Sequence, residues 1–331
     1  MTILTVRHVT TYSYAAPVRL GEHRMMLRPR DSNDQRLLKA SLEIEPRPHR
    51  LRWIHDVFDN CVAIADFAGE TRRLEVVNSI TLEHIAPDEP EFLLEDRARY
   101  YPFSYDAEEM PDLARAIERH YPDPSGELER WVRRFVNQGR PTQTATLLMT
   151  LTNAIKEGLA YERRTERGTQ SPLQTLTSRR GSCRDFATLM IEAARALGFA
   201  ARFVSGYLYV PSRDTEESYR GGGSTHAWCQ VFLPGSGWVE FDPTNGIVGN
   251  RDLIRVAVAR DAHQAIPLHG SYWGKVEDEE GMVVTVVVRR MPDPEPRLAA
   301  PMTRGLEISE AGAGFRAARL QKRTSARSDP C

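Results

Sequence analysis

One cysteine stands where a helix should begin. In "RRGSCRDFATLMIEAARALGFAARF", residues Phe186, Leu189, Met190, Ala193 and Leu197 recur at helical spacing, and Gly198 offers a left-handed stop. The pattern predicts a helix from Ser182 or Cys183 to Leu197. Cys183 then lies in its first turn, where unpaired N–H groups and the positive end of the helix dipole stabilise a thiolate. The same N–H groups can donate to an oxyanion formed beside the sulfur. A buried structural cysteine has no such requirement and could sit anywhere along the apolar stripe.

A sulfur nucleophile needs a base, and the base needs an orienting group. The segment "STHAWCQVFLPGSGWVEFDPTNG" offers both: His226 opens one strand-like run and Asp242 closes the next. The hairpin register decides whether they meet. An odd loop, Pro234 to Ser236, puts Trp228 opposite Asp242 and His226 diagonal to it on the same face. Diagonal neighbours lie about 7–8 Å apart at the backbone, within reach of an imidazole and a carboxylate. An even loop would turn them to opposite faces. Cys183 as nucleophile, His226 as base and Asp242 as orienting acid are therefore the candidate catalytic residues.

The surrounding residues admit plainer readings. Cys229 alternates out of phase with His226 and should face the core, and no further ligands gather to make a metal site of the two. "GGGS" before His226 lacks the lysine and helix of a phosphate loop; with "SRDTEESYRGGG" it could flank the site entrance. Arg179, Arg180 and Arg184 flank Cys183 and either favour the thiolate, attract an acidic substrate, or are solvated surface charges. Tyr161 is a candidate second oxyanion donor, and Trp228 a candidate pocket wall. No calcium loop is present, so neither a metal nor a cofactor is expected.

Other elements must position these groups. The chain has 331 residues, with 44 Lys and Arg against 45 Asp and Glu, so no overall field argues for nucleic acid or an anionic membrane. No apolar run approaches the length of a membrane span, and the first residues lack the features of a secretory signal. The cysteines Cys61, Cys183, Cys229 and Cys331 form no C-x-x-C pair, so a reducing cytoplasm is the expected location.

Residues 1–85 read as β-branched and alternating strands, the natural guess being a β-sandwich-like domain; Asp59-Asn60 is a turn signal within it. Residues 86–110, opening on "APDEPEF", read as a linker. Residues 111–291 carry helices near 111–120, from an N-cap at Ser125 to Gly139, and to about Gly158. After the Cys183 helix come strands at "ARFVSGYLYV", the His226–Asp242 hairpin, and "MVVTVVVRR" from Met282 to Arg290. Residues 292–331 read as a flexible tail.

The stretches "GSCRDFATLMIEAARALGFAARFVSGY" and "THAWCQVFLPGSGWVEFDPTNG", with their spacing, resemble the core of the transglutaminase-like superfamily. "HVTTYSYAAPV…RMMLRPRD…DVFDN" resembles the β-rich region that precedes this core in bacterial members. The resemblance implies an α+β fold: a papain-like, transglutaminase-like core of helices packed on an antiparallel sheet. It also implies a Cys183–His226–Asp242 triad acting through a thioester, with a peptide or protein as the partner. Bacterial members look more like proteases than crosslinkers, which implies hydrolysis of peptide or isopeptide amides. Amine transfer, arylamine-type acyl transfer and a non-catalytic interaction module remain alternatives, and the oligomeric state is open. One departure is Asp59, where the family usually has glycine; aspartate tolerates the left-handed turn this position requires.

Overall fold

The computed structural model describes residues 2–85, 92–162, 168–210 and 225–291. The chain opens with β1 (Thr2–Arg28), β2 (Gln35–Glu45), β3 (Arg50–His55), β4 (Cys61–Asp66) and β5 (Glu70–His84). They pair antiparallel in the order β2-β5-β1-β4-β3. The alternation in β1 turns Leu4, Val6, His8 and Thr10 inward. The strands expected here are present, but they form one sheet curled into a half-barrel in place of the two packed layers of the expected sandwich.

Helices follow, with short strands between them: β6 (Tyr100–Tyr101), α1 (Met110–Ile117), α2 (Glu127–Arg133), β7 (Thr142–Gln143), α3 (Thr144–Gly158), β8 (Ala160–Tyr161), α4 (Pro172–Ser178), β9 (Arg180–Gly181) and α5 (Cys183–Ala196). The α2 helix departs from its expected bounds. Its cap comes from Asp123, whose carboxylate accepts from the N–H groups of Glu127 and Glu129, at 2.9 and 3.1 Å, and Ser125 is not the N-cap. Within the expected linker, residues from 92 onward pack on the core. Phe92 stacks on Phe241, and the Tyr105 hydroxyl bridges the Ala200 N–H and the Phe232 carbonyl.

A second antiparallel sheet contains β10 (Ala201–Leu208), β11 (His226–Leu233), β12 (Gly237–Asp242), β13 (Ile247–Val248) and β14 (Leu253–Ala259), in the order β13-β12-β11-β10-β14. Then β15 (Leu268–Trp273) and β16 (Glu279–Arg290) return to the first sheet, where both pair with β1. The strand at Met282–Arg290 is therefore present, in the amino-terminal sheet. Residues 2–291 belong to one compact unit. Among the described residues no helix is long and apolar enough to cross a membrane. The expected tail at 292–331 and the loop "SRDTEESYRGGG" lie outside the described residues.

The main core lies between α5 and one face of the second sheet. Phe186, Leu189, Met190 and Ala193 share a buried cluster with Ala227, Cys229 and Val231 of β11 and Phe241 of β12. The helix is buried beyond its apolar stripe, because Asp185, Glu192 and Arg195 are also inside. Arg195 is satisfied there by Glu192 at 2.9 Å and by the carbonyls of Ala116, Ala201 and Arg260. A buried guanidinium is tolerated only with such complete pairing.

The outer edge of β14 meets the first sheet through side-chain amides. Asn60 donates to the Val258 carbonyl at 2.7 Å and accepts from the Val258 N–H at 2.9 Å. Gln35 does the same for Arg255, at 2.8 and 3.2 Å. Each amide copies the donor–acceptor pattern of a missing neighbouring strand. Asp59 sits beside Asn60 with φ +65°, the left-handed turn that the family resemblance implied.

Candidate active site

The helix bearing Cys183 starts at a rigid corner. Ser182 is the N-cap. The Asp185 carboxylate accepts from the Ser182 N–H at 2.8 Å and from its hydroxyl at 2.9 Å. Its other oxygen accepts from the Gln170 N–H at 2.7 Å, which ties down the approach to α4. Gly181 is needed ahead of it, since a Cβ there would lie 2.9 Å from the Asp185 Cβ. Cys183 follows with only 8% of its surface exposed. Sequence reasoning missed Asp185; the S-x-x-D spacing, a relative of the capping box, was its signal.

The His226–Asp242 hairpin has the odd loop. Leu233 pairs with Gly237 and Cys229 with Phe241, and the same register continued places Trp228 opposite Asp242. His226 Nε2 bonds Asp242 Oδ2 at 2.7 Å. The Cys183 side chain lies beside the same imidazole, near enough to help hold its proton. With Nε2 committed to the carboxylate, Nδ1 is the nitrogen left for the sulfur. The structure thus brings all three predicted residues together.

Asp242 is fully buried and multiply held. Its Oδ1 accepts from the Thr244 N–H at 2.9 Å, and its Oδ2 accepts from the Asn245 side-chain amide at 2.6 Å. Burial alone would raise its pKa, but the His226 charge and these hydrogen bonds bring it below the ordinary carboxylate value. Burial pushes the imidazole down, yet Asp242, with help from Cys183, lifts it to about 10. A histidine so placed is an imidazolium at neutral pH, facing a sulfur on one side and a carboxylate on the other. Asn245 was not singled out in the sequence; its role depends on the turn closed by the Gly246 N–H on the Asp242 carbonyl, at 2.8 Å.

Trp228 walls the site from within. It is fully buried and stacks on His226, with centroids 5.9 Å apart and planes 27° off parallel. Gly206 makes room for it, because a Cβ there would lie 2.7 Å from the indole and 2.0 Å from the Ile254 carbonyl oxygen. Tyr161 lies on β8, which pairs with the β9 strand leading into Cys183; it is half-exposed, its ring edge against Phe186.

The three arginines make other contacts. Arg184 lies over the Phe203 ring at 5.0 Å and donates to the Ala262 carbonyl. Arg179 caps α4 at φ +55° and donates to the Gly158 carbonyl, while Arg180 pairs with Glu162 at 3.3 Å. Cys229 is fully buried with its thiol on the Phe241 carbonyl at 3.4 Å, and burial drives its pKa well up, so it is an inert core residue.

Comparisons with known proteins agree with this architecture. An uncharacterised Mycobacterium leprae protein is 27% identical over 287 residues, 86% of this chain and 98% of its own length. An uncharacterised Mycobacterium tuberculosis protein is 28% identical over 305 residues, covering 87% of this chain and 92% of its own length. The crystal structure of a candidate cysteine protease from Cytophaga hutchinsonii superposes with a TM-score of 0.65. It is 19% identical, with 88% of this chain and 92% of that one covered, and so shares the fold. Residues 4–83 match the bacterial transglutaminase-like N-terminal region. With residues 130–243 matching the core of the transglutaminase-like superfamily, the chain belongs to that superfamily.

Proposed function

We propose that the protein is a thiol-dependent acyl-transfer enzyme that hydrolyses peptide or isopeptide amide bonds. The observation that carries this reading is the 2.7 Å bond of His226 to the buried Asp242, with Cys183 beside the same imidazole at the head of a buried helix. The Cys183 sulfur attacks the amide carbonyl, and the developing oxyanion is held by N–H groups of the first turn of α5. As the C–N bond breaks, the His226 imidazolium gives its proton to the departing amine and a thioester remains. Water, deprotonated by the now neutral imidazole, attacks the thioester carbonyl. The acid leaves and the sulfur is free again. Asp242 orients the ring throughout. Such chemistry needs a free thiol, which fits a reducing compartment such as the cytoplasm.

The test is turnover of peptide and isopeptide libraries by the wild type and by Cys183→Ala. Hydrolysis by the wild type, lost in a folded Cys183→Ala, is the expected result. Added amine separates the outcomes: hydrolysis predicts free acid as the main product, whereas a crosslinker would give the amide. No turnover of any acyl donor, with a Cys183 that alkylates like a free model thiol, would leave a binding module that keeps the fold.

A further inference from the structure

Among the described residues, several sheet edges are protected. The β14 edge is capped by Asn60 and Gln35. The β2 edge carries Arg36, Lys39, Glu43 and Glu45, and the β3 edge carries Arg50, Arg52 and His55. Charged side chains of this kind discourage pairing with another chain. β16 differs. Among the described residues it pairs with β1 alone, and it reads EEGMVVTVVVRR, with neither charge nor proline from Met282 to Val288. Met282 and Val283 are 54% and 67% exposed.

The outer backbone of this strand has a definite polarity. Met291 donates its N–H to Ile3 of β1, and the register then runs unbroken from Leu4↔Arg290 to Ser13↔Gly281. Alternate residues of an antiparallel strand turn their N–H and C=O to the same side. The odd-numbered residues therefore bond β1, while Met282, Val284, Val286 and Val288 turn their backbone groups outward. Outward groups in a long, uncharged row are a template for one more strand.

We propose that the occupant is a second copy of this chain, paired through β16 about a two-fold axis. The sequence of the strand is self-complementary when run antiparallel: acidic at its start, apolar through its middle, basic at its end. Centred on Thr285, the pairing sets Val283 of one copy against the partner's Val287, and Met282 against the partner's Val288. Opposite charges and β-branched pairs directly across a ladder are both stabilising. An isologous contact of this kind closes at two copies, so it yields a dimer and no fibre. The joined sheets would form one continuous surface, with the two candidate active sites on separate subunits.

Sedimentation equilibrium of the full chain tests this. The wild type is expected to be a dimer that dissociates on dilution. Met282→Pro removes an outward N–H that β1 does not use, and Val283→Lys puts a charge into the seam. Each should weaken the dimer by at least about tenfold in Kd while far-UV circular dichroism and Cys183 alkylation are unchanged. A monomeric wild type at all concentrations overturns the proposal. So does a dimer that survives both single variants, or a monomer in which Met282→Pro speeds proteolysis of residues 292–331, which would make the tail the occupant.

Discussion

Replacing Asp242 with asparagine removes the charge that makes His226 an imidazolium while keeping the side chain's size. Raising the imidazole from 6.5 to about 10 corresponds to on the order of 5 kcal/mol in favour of the protonated ring. Asp242 supplies most of that against the pull of burial. In Asp242→Asn burial is left largely unopposed, so His226 should titrate below 6.5 and be neutral at pH 7. The asparagine amide would also face Nε2 as a donor and favour the wrong tautomer. Turnover is expected to fall by about 10²- to 10⁴-fold. The assay pairs NMR titration of the His226 ring with mass-spectrometric measurement of iodoacetamide alkylation at Cys183 across the acid-to-alkaline range. Wild type should hold its ring proton well past neutrality, whereas in the variant acid-side alkylation at Cys183 should drop. Stability follows the same linkage. A histidine with a raised folded pKa contributes stability that is fully present below about 6.5 and is lost as pH rises through about 10. Asp242, depressed in the fold, contributes stability present above its ordinary value near 3.8 and lost as pH falls below it. A wild-type His226 that titrates near 6.5, or an Asp242→Asn protein that alkylates unchanged, would refute the reasoning.

Three further outcomes follow from particular contacts. Asn245→Ala removes the 2.6 Å bond to the Asp242 carboxylate and should cost about 1–3 kcal/mol at the site. Its signature is a lower kcat and a shifted pH profile with KM little changed; an unaltered pH profile would reduce Asn245 to a turn residue. Asn60→Ala strands the N–H and carbonyl of Val258 and should destabilise the fold by about 2–4 kcal/mol, read as a lower urea midpoint. Water reaching that edge would shrink the loss below about 1 kcal/mol and contradict the clamp. Cys229→Ala should leave turnover and Cys183 alkylation near wild type, at a cost of about 1 kcal/mol or less in stability; loss of activity in a stable Cys229→Ala would mean that the wrong thiol has been assigned.

The candidate trio was legible because each member obeys a local rule. Cys183 follows from where a helix must start, and the His226–Asp242 pair from the parity of a three-residue loop. The left-handed φ of Asp59 was expected from the family resemblance, whose members usually carry glycine there. The supporting residues were harder to see. Asn245 and Asp185 matter through tight turns that bring their side chains back on the chain, and sequence separation alone does not reveal that closure. Arg184 reads as a surface charge until Phe203 and the Ala262 carbonyl are found beside it. The β-branched run identified Met282–Arg290 as a strand but could not name its neighbour, because strand propensity says nothing about partner choice.

The pairing of β1 with β15 and β16 also bears on how the chain acquires its fold during synthesis. β1 waits for strands made only after all the helices, so this ladder cannot be completed while the ribosome is still building the helices between them. Until then β1 offers a long row of unmet backbone groups, and contacts so distant in sequence form slowly. Nascent chains stalled before residue 268 should accordingly be protease-sensitive throughout the amino-terminal region and hold to chaperones, and protection should arrive in one step once Arg290 has cleared the exit tunnel.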